Sequence, residues 1–117
     1  KLMVSPADED PVDPHDAWPD DMVLAEGLHR YEQAVTVPVT RVAHSWAGLR
    51  SFAPDRTPVV GFAADAGGFF WLAGQGGYGV QTAPALARLA AGLVTNAAPG
   101  LPDTTIAALS PTRFHSS

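Results

Sequence analysis

The sequence contains no cysteine, few basic residues and no long apolar segment, and each absence excludes a class of protein. Without cysteine there is no disulfide and no thiolate metal site. Seven lysines and arginines against twelve acidic residues give a net charge of −5, which argues against a nucleic-acid partner. No apolar run is long enough to cross a membrane and no signal-peptide pattern is visible. We therefore expect a cytoplasmic protein without a membrane span.

Glycine and proline are abundant instead, with eleven of each in 117 residues. They fall between periodic segments and mark turns, so they do not make the chain low in complexity. The hydrophobic fraction of 46% is too high for a disordered chain. The length allows at most one domain with a modest core.

The pattern of apolar residues predicts a chain that mixes helices and strands. Apolar or β-branched segments predict strands at residues 1–4, 37–52, 59–63 and 69–72, the last two as a hairpin. Helices are predicted to begin at Asp20 or Asp21, to run over residues 83–95, and to run from Pro102 through Leu109. The apolar stripes of the first two helices are Met22, Ala25, Leu28, Tyr31 and Val35, and Leu86, Leu89, Ala90 and Leu93.

An acidic, proline-rich segment precedes the first predicted helix. Asp13, His15 and Asp16 are residue types that bind metals, but the prolines around them give them no common face. A solvated acidic loop explains the segment better, and we predict no metal site.

The most informative stretch is residues 74–82, which reads Gly-Gln-Gly-Gly-Tyr-Gly-Val-Gln-Thr. It follows an apolar run and leads into a predicted helix, so it indicates a strand, a glycine turn and a helix start. Glycines permit positive φ and close approach of a ligand, and a helix start offers unpaired N–H groups and a positive dipole end. A phosphate, a carboxylate or the pyrimidine edge of a flavin suits such a site. A turn that only packs a helix on a sheet is the alternative.

Gly74, Gly76 and Gly79 also match the G-x-G-x-x-G pattern of dinucleotide-binding proteins. That fingerprint requires a βαβ unit, with an acidic residue about 20 positions on at the end of the second strand. No second strand is predicted after the helix, and Asp103 lies in a proline-flanked turn. We therefore reject a pyrophosphate site and keep the argument from the helix start.

Arg50 is the other unusual residue, because it lies close to Leu49 and Phe52 near the end of a predicted strand. A buried arginine needs a carboxylate, which an internal ion pair or a bound ligand can provide, and the ion pair is the simpler of the two. His44 and Ser45 are adjacent, so on a strand they point to opposite faces and cannot pair as base and nucleophile. The G-x-S-x-G, H-E-x-x-H and P-loop motifs are absent, and we predict no catalytic side chain.

Several segments, in order and spacing, resemble the C-terminal part of the D-amino-acid oxidase family, whose members are FAD-dependent amine oxidoreductases. They are Trp46-Ala47-Gly48-Leu49-Arg50, Pro54-Asp55, Pro58-Val59-Val60-Gly61 and the run from Phe70 to Pro84. The closing residues 109–114 are similar to the usual end of the family. The sequence Ser5-Pro6-Ala7-Asp8-Glu9, with the loop and helix after it, resembles the D-arginine dehydrogenase branch.

This resemblance implies an α+β fold with two parts. Residues 1–63 would be the C-terminal portion of a substrate-binding domain with antiparallel strands, and residues 64–117 a strand, glycine turn and helix that complete an FAD-binding domain. Arg50 would bind the α-carboxylate of the substrate, and the carbonyl of Gly77 would accept a hydrogen bond from its amine. Cofactor contacts are implied at Gly48, Gly76, Gly77, Tyr78, Gly79, Val80, Gln81 and Thr82. The implied reaction is oxidative deamination, with hydride transfer from the substrate α-carbon to FAD.

The resemblance also implies a part that the chain lacks, since the Rossmann unit that binds the FAD pyrophosphate has no counterpart here. We therefore expect an incomplete fold that is inactive alone and works with an N-terminal portion, covalent or as a second chain. Two alternatives stay open: the same family acting on glycine, sarcosine or another amine, and a non-catalytic binding or assembly module. The sequence does not distinguish dioxygen from a quinone as the electron acceptor.

Overall fold

The computed structural model describes residues 2–115, and the chain divides into two compact units, residues 1–49 and 50–117. The elements in chain order are α1 (Asp21–Glu32), β1 (Val59–Phe62), β2 (Phe70–Ala73), α2 (Gly79–Thr95), α3 (Asp103–Leu109) and a 3-10 helix (Pro111–Phe114). The predicted α+β class is confirmed, since the described residues form three α-helices and one antiparallel two-stranded sheet. Within that range, no helix is long and apolar enough to cross a membrane.

The first unit is built on α1, which begins where its capping residue predicts. Asp20 accepts hydrogen bonds at Oδ1 from the backbone N–H groups of Met22 (2.8 Å) and Val23 (3.0 Å). This satisfies two of the N–H groups that a helix start leaves without partners. Of the two predicted N-cap residues, Asp20 is therefore the one that caps α1.

The buried face of α1 differs in part from the predicted stripe. Leu28 and Tyr31 are half-buried as predicted. Met22 and Ala25 are exposed, and Val35 is exposed and lies beyond the end of the helix, so that part of the prediction is wrong. Gly27 is the buried residue at the centre of this face. Its backbone packs closely on Pro6, since a Cβ at Gly27 would lie 2.6 Å from the Pro6 ring. A pattern of apolar residues at helical spacing gives no weight to glycine, so it predicted a buried face that is displaced from Gly27.

Two predicted strands do not form. Residues 2–4 and 37–52 form no strand, and residue 1 of the first prediction lies outside the described range. A strand needs a hydrogen-bonded neighbour, and β propensity alone does not supply one. At Val39 the backbone N–H instead donates to Oε1 of Glu32, at 2.7 Å.

The second unit contains the predicted hairpin, which is confirmed. β1 and β2 pair antiparallel, with Val59 opposite Ala73 and Phe62 opposite Phe70. Beyond the last pair, the Ala63 N–H donates to the Phe69 carbonyl (2.9 Å), which closes the loop. The chain leaves β2 directly into the glycine turn.

The core of this unit lies between the sheet and α2. Its buried apolar side chains are Val60 of β1, Leu86 and Leu89 of α2 and Leu109 of α3. The predicted stripe of α2 is confirmed, with Ala90 and Leu93 half-buried beside it. α2 begins at Gly79, four residues earlier than predicted, because Thr82 N–H already bonds to the Tyr78 carbonyl (3.0 Å) ahead of Pro84. α3 is confirmed, with Pro102 as its N-cap.

Candidate functional site

The glycine turn, defined here as residues 74–77, reverses the chain between β2 and α2. Gly74 (φ +71°) and Gly76 (φ +54°) both adopt the left-handed conformation that glycine tolerates best. The Gln75 carbonyl accepts a hydrogen bond from Tyr78 N–H, at 3.0 Å. The prediction that these glycines serve positive φ is confirmed at those two positions.

The start of α2 presents backbone donors without a side-chain cap. Tyr78 is the N-cap residue, and no side chain in the described part of the molecule accepts from the first N–H groups. The first turn also contains no acidic residue. Val80 in this turn is 97% exposed. The N–H groups and the positive dipole end can therefore meet an electron-rich ligand.

Thr82 uses its hydroxyl within the helix. Its Oγ1 donates to the Tyr78 carbonyl at 2.7 Å, so the proton of that hydroxyl is already bound. A ligand would find the oxygen of Thr82 as an acceptor only.

Arg50 lies beside the glycine turn. A Cβ at Gly77 would be 3.1 Å from Nη1 of Arg50, and the Ser51 carbonyl accepts from Gly76 N–H at 3.0 Å. Arg50 is half-buried. The structure therefore brings together a guanidinium, the glycine turn and the start of α2, all in the second unit.

The Arg50 segment, defined as residues 50–53, runs antiparallel to the glycine turn. Arg50 is next to Gly77, Ser51 bonds to Gly76, and the backbone nitrogen of Ala53 would be 3.4 Å from a Cβ at Gly74. A Cβ at Gly76 would overlap the Phe52 ring, with Cδ1 only 2.8 Å away. Close contact between the two segments thus requires a residue without a side chain at position 76.

Gly48, the remaining predicted cofactor residue, belongs to the first unit. Its assignment to the flavin stays a prediction.

Sequence reasoning missed the Asp55–Arg113 ion pair, which joins the turn after the Arg50 segment to the 3-10 helix. Nε of Arg113 donates to Oδ2 of Asp55 (2.7 Å), and Nη2 donates to Oδ1 (3.1 Å). These hydrogen bonds from Arg113 are the main reason that the pKa of Asp55 is lowered from 3.8 to about 2. No local pattern reveals a pair 58 residues apart. The available signal was an aspartate in a proline-flanked turn and an arginine close to the end of the sequence.

The same arginine holds three backbone carbonyls. Nη2 donates to Thr57 (2.8 Å), and Nη1 donates to Leu109 (2.9 Å) and Ser110 (3.0 Å). The neighbouring Pro111 packs on β1, since a Cβ at Gly61 would lie 3.0 Å from its ring. The 3-10 helix therefore anchors the turn that follows the Arg50 segment.

In a comparison with protein families, the FAD dependent oxidoreductase family matches residues 1–93 of the 117. The match includes the Arg50 segment, the glycine turn and most of α2. The predicted resemblance extends further, to residue 114, and those last residues lie outside the match.

The residues present fit one edge of a flavin. The uncapped N–H groups of α2 can donate to an electron-rich ring edge, and three of the four residues of the glycine turn are glycines, whose backbone a ring can approach closely. No acidic residue in the first turn of α2 would repel negative charge there. With the family match over most of its length, the chain belongs to the D-amino-acid oxidase family of FAD-dependent oxidoreductases, and its cofactor is FAD.

Proposed function

We propose that this chain contributes the substrate-carboxylate anchor and the flavin pyrimidine-edge contacts of an enzyme that oxidatively deaminates D-amino acids, as a dehydrogenase or oxidase. The observation that supports this most is the position of Arg50 next to the glycine turn and the start of α2. Within the family, the resemblance of residues 5–9 and the following helix favours the D-arginine dehydrogenase branch.

Arg50 is the proposed anchor of the substrate α-carboxylate. A guanidinium is planar and permanently charged, and it holds a carboxylate through two parallel hydrogen bonds. Because Arg50 is half-buried, solvent and salt screen such a pair less than on an open surface. Gly77 lies beside the Arg50 guanidinium, and its carbonyl is proposed to accept a hydrogen bond from the substrate amine. Together the two groups would fix both polar ends of an amino acid.

The start of α2 is proposed to favour negative charge at the pyrimidine edge of the flavin. When bound, FAD supplies the oxidising equivalent by accepting a hydride from the substrate α-carbon. The N–H groups of Gly79, Val80 and Gln81 lie in the first turn of α2, where the helix dipole is positive. Donors held in place by a 17-residue helix need no rearrangement as negative charge develops.

The chemistry then asks the protein for orientation more than for proton transfer. Loss of a hydride from the α-carbon and a proton from the amine leaves an imine, which water hydrolyses. Arg50 and Gly77 would hold the α-carbon in position, and orientation alone can lower a barrier substantially. We propose the family's division of labour for these parts, with residues 1–63 in the substrate-binding portion and residues 64–117 in the FAD-binding portion.

Substitution of Arg50 tests the proposal in the FAD-loaded enzyme. For Arg50→Ala we expect kcat/KM for a D-amino acid to fall about 10- to 150-fold, the range for a lost hydrogen bond to a charged group. For Arg50→Lys we expect a smaller decrease in kcat/KM, because lysine keeps the positive charge and loses the two parallel N–H donors of the guanidinium. The exposed Arg88→Ala on α2 is the matched control and should leave kcat/KM unchanged. An Arg50→Ala enzyme with unaltered kcat/KM would remove Arg50 from the site.

The substrate class is tested with the same enzyme. D-amino acids, glycine and sarcosine, each compared by kcat/KM, separate the proposed activity from that on other amines. We expect the highest value for a D-amino acid. A preference for glycine or sarcosine would contradict the proposed substrate and leave the family assignment intact.

A further inference from the structure

The Phe52 ring contacts both halves of the proposed site. Cζ of Arg50 lies 5.2 Å from the centroid of this ring, within the range of a cation–π interaction. The same ring packs against the backbone of Gly76, where a Cβ would be 2.8 Å from Cδ1 and 3.0 Å from Cζ of the ring. One half-buried side chain therefore touches the guanidinium and the glycine turn together.

A second guanidinium also lies over the Phe52 ring. Cζ of Arg56 lies 5.3 Å from the same centroid. Arg56 reaches this position in the left-handed conformation (φ +59°), which is uncommon for a residue other than glycine. Its N–H donates to the Ala53 carbonyl (2.8 Å), which closes a tight turn directly after Phe52. The turn and the second guanidinium restrict where the ring can go.

We propose that Phe52 is a positioning residue: its ring holds the Arg50 guanidinium in the orientation that binds the substrate carboxylate and supports the Gly76 backbone beneath it. A long, flexible arginine loses side-chain entropy when it binds a ligand, and a contact that orders it beforehand reduces that loss. The aromatic face attracts the cation without using its N–H donors. This inference rests on the proposed role of Arg50.

The contact predicts a selective effect of removing the ring. Phe52→Leu keeps an apolar side chain and loses the aromatic face. We expect the Kd of a carboxylate to rise about three- to thirtyfold, the range that corresponds to a cation–π interaction. Phe52→Tyr keeps the ring and should bind with the wild-type Kd. Phe69→Leu is the matched control, because the Phe69 ring packs on Trp71, with centroids 4.9 Å apart.

The measurement is calorimetric titration of the FAD-loaded protein with acetate, which lacks the amine and cannot be oxidised as a substrate. The variants are tested alone and combined with Arg50→Ala. If Phe52 acts through Arg50, Phe52→Leu raises the Kd in the wild-type background and has no further effect once Arg50 is alanine. A general structural defect would raise the Kd equally in both backgrounds, which would overturn the inference.

Further outcomes separate this inference from the function on which it rests. If Arg50→Ala weakens acetate binding and Phe52→Leu does not, only the role of Phe52 is overturned. If Arg50→Ala itself leaves the Kd unchanged, the proposed anchor is wrong, and the role of Phe52 with it. Should Phe52→Leu fail to fold, Phe52→Met, which fills similar space without a ring, takes its place. A wild-type Kd for Phe52→Met would overturn the inference as well.

Discussion

Replacing Arg113 with alanine should destabilise the protein, because it removes the contacts between the 3-10 helix and the turn that follows the Arg50 segment. Arg113 is 14% exposed and donates five hydrogen bonds, two to the Asp55 carboxylate and three to backbone carbonyls. Its guanidinium also lies 4.2 Å from the centroid of the Phe114 ring. The substitution removes all of these contacts and introduces no new group that could replace them.

The backbone bonds set the size of the effect. Three part-buried carbonyls lose their donor in Arg113→Ala, at Thr57, Leu109 and Ser110. A hydrogen bond contributes about 1 kcal/mol net, so the free energy of unfolding should fall by about 3 kcal/mol. The carboxylate of Asp55 is 41% exposed, and solvent screens its attraction to Arg113, so the charge pair contributes less than the backbone bonds and is left out of this figure. An effect of 3 kcal/mol is a large fraction of the stability of a small domain.

Urea unfolding followed by far-UV circular dichroism measures this difference. Arg88→Ala, an exposed arginine on α2, is the control and should change the free energy of unfolding by less than about 0.5 kcal/mol. Arg113→Lys should fall between wild type and Arg113→Ala, since an ammonium cannot reach both the carboxylate and the carbonyls in the same fork. If Arg113→Ala were as stable as Arg88→Ala, the hydrogen bonds of Arg113 would not anchor the 3-10 helix, and the reasoning would be refuted.

The same variants give a test at low pH. The pKa of Asp55 is lowered to about 2 in the folded protein, whereas the unfolded carboxyl titrates near 3.8. Between about pH 4 and about pH 2 the unfolded chain therefore binds more protons, and stability falls as the pH decreases through this window. Above it the contribution is complete. Arg113→Ala should show a shallower decline than wild type, and parallel curves would contradict the pairing.

Two further predictions concern glycine and the core. Gly76→Ala should destabilise the protein by at least about 1 kcal/mol and lower its FAD content, because alanine is strained at φ +54° and its Cβ would overlap the Phe52 ring. Urea unfolding measures the loss of stability, and the flavin absorbance per chain measures the FAD content. Gly67→Ala is the control, because a Cβ at Gly67 would contact no other atom. Leu89→Ala should cost about 2–5 kcal/mol of unfolding free energy, since Leu89 is fully buried between α2 and the sheet, and the exposed Val94→Ala should cost little. Equal unfolding midpoints within either pair would contradict the corresponding contact.

Features encoded by neighbouring residues could be predicted well. The Asp20 cap depends on a carboxylate two and three residues from the N–H groups that it accepts from, and the hairpin on two apolar runs around a short loop. The stripe of α2 follows from its period, because Leu86, Leu89 and Leu93 recur at helical spacing. In each case the interacting groups lie within a few residues of each other.

The predicted strand over residues 37–52 failed for the converse reason. Its β-branched and aromatic residues fit a strand, but a strand exists only where a neighbour supplies the ladder, and no local pattern says whether one does. The position of Arg50 beside the glycine turn was anticipated only through the family resemblance. Periodicity could not place two segments that are separated by the whole hairpin.

The sequence by itself therefore determined the Asp20 cap of α1, the hairpin, the glycine turn before α2 and, through the family resemblance, the cofactor family. Only the tertiary structure decided that Arg113 fastens Asp55, that Gly27 is the centre of the buried face of α1, and that Phe52 lies between Arg50 and Gly76. Local bonding and periodicity are written in adjacent residues, whereas these contacts form only when distant parts of the chain pack together, and their geometry is set by that packing.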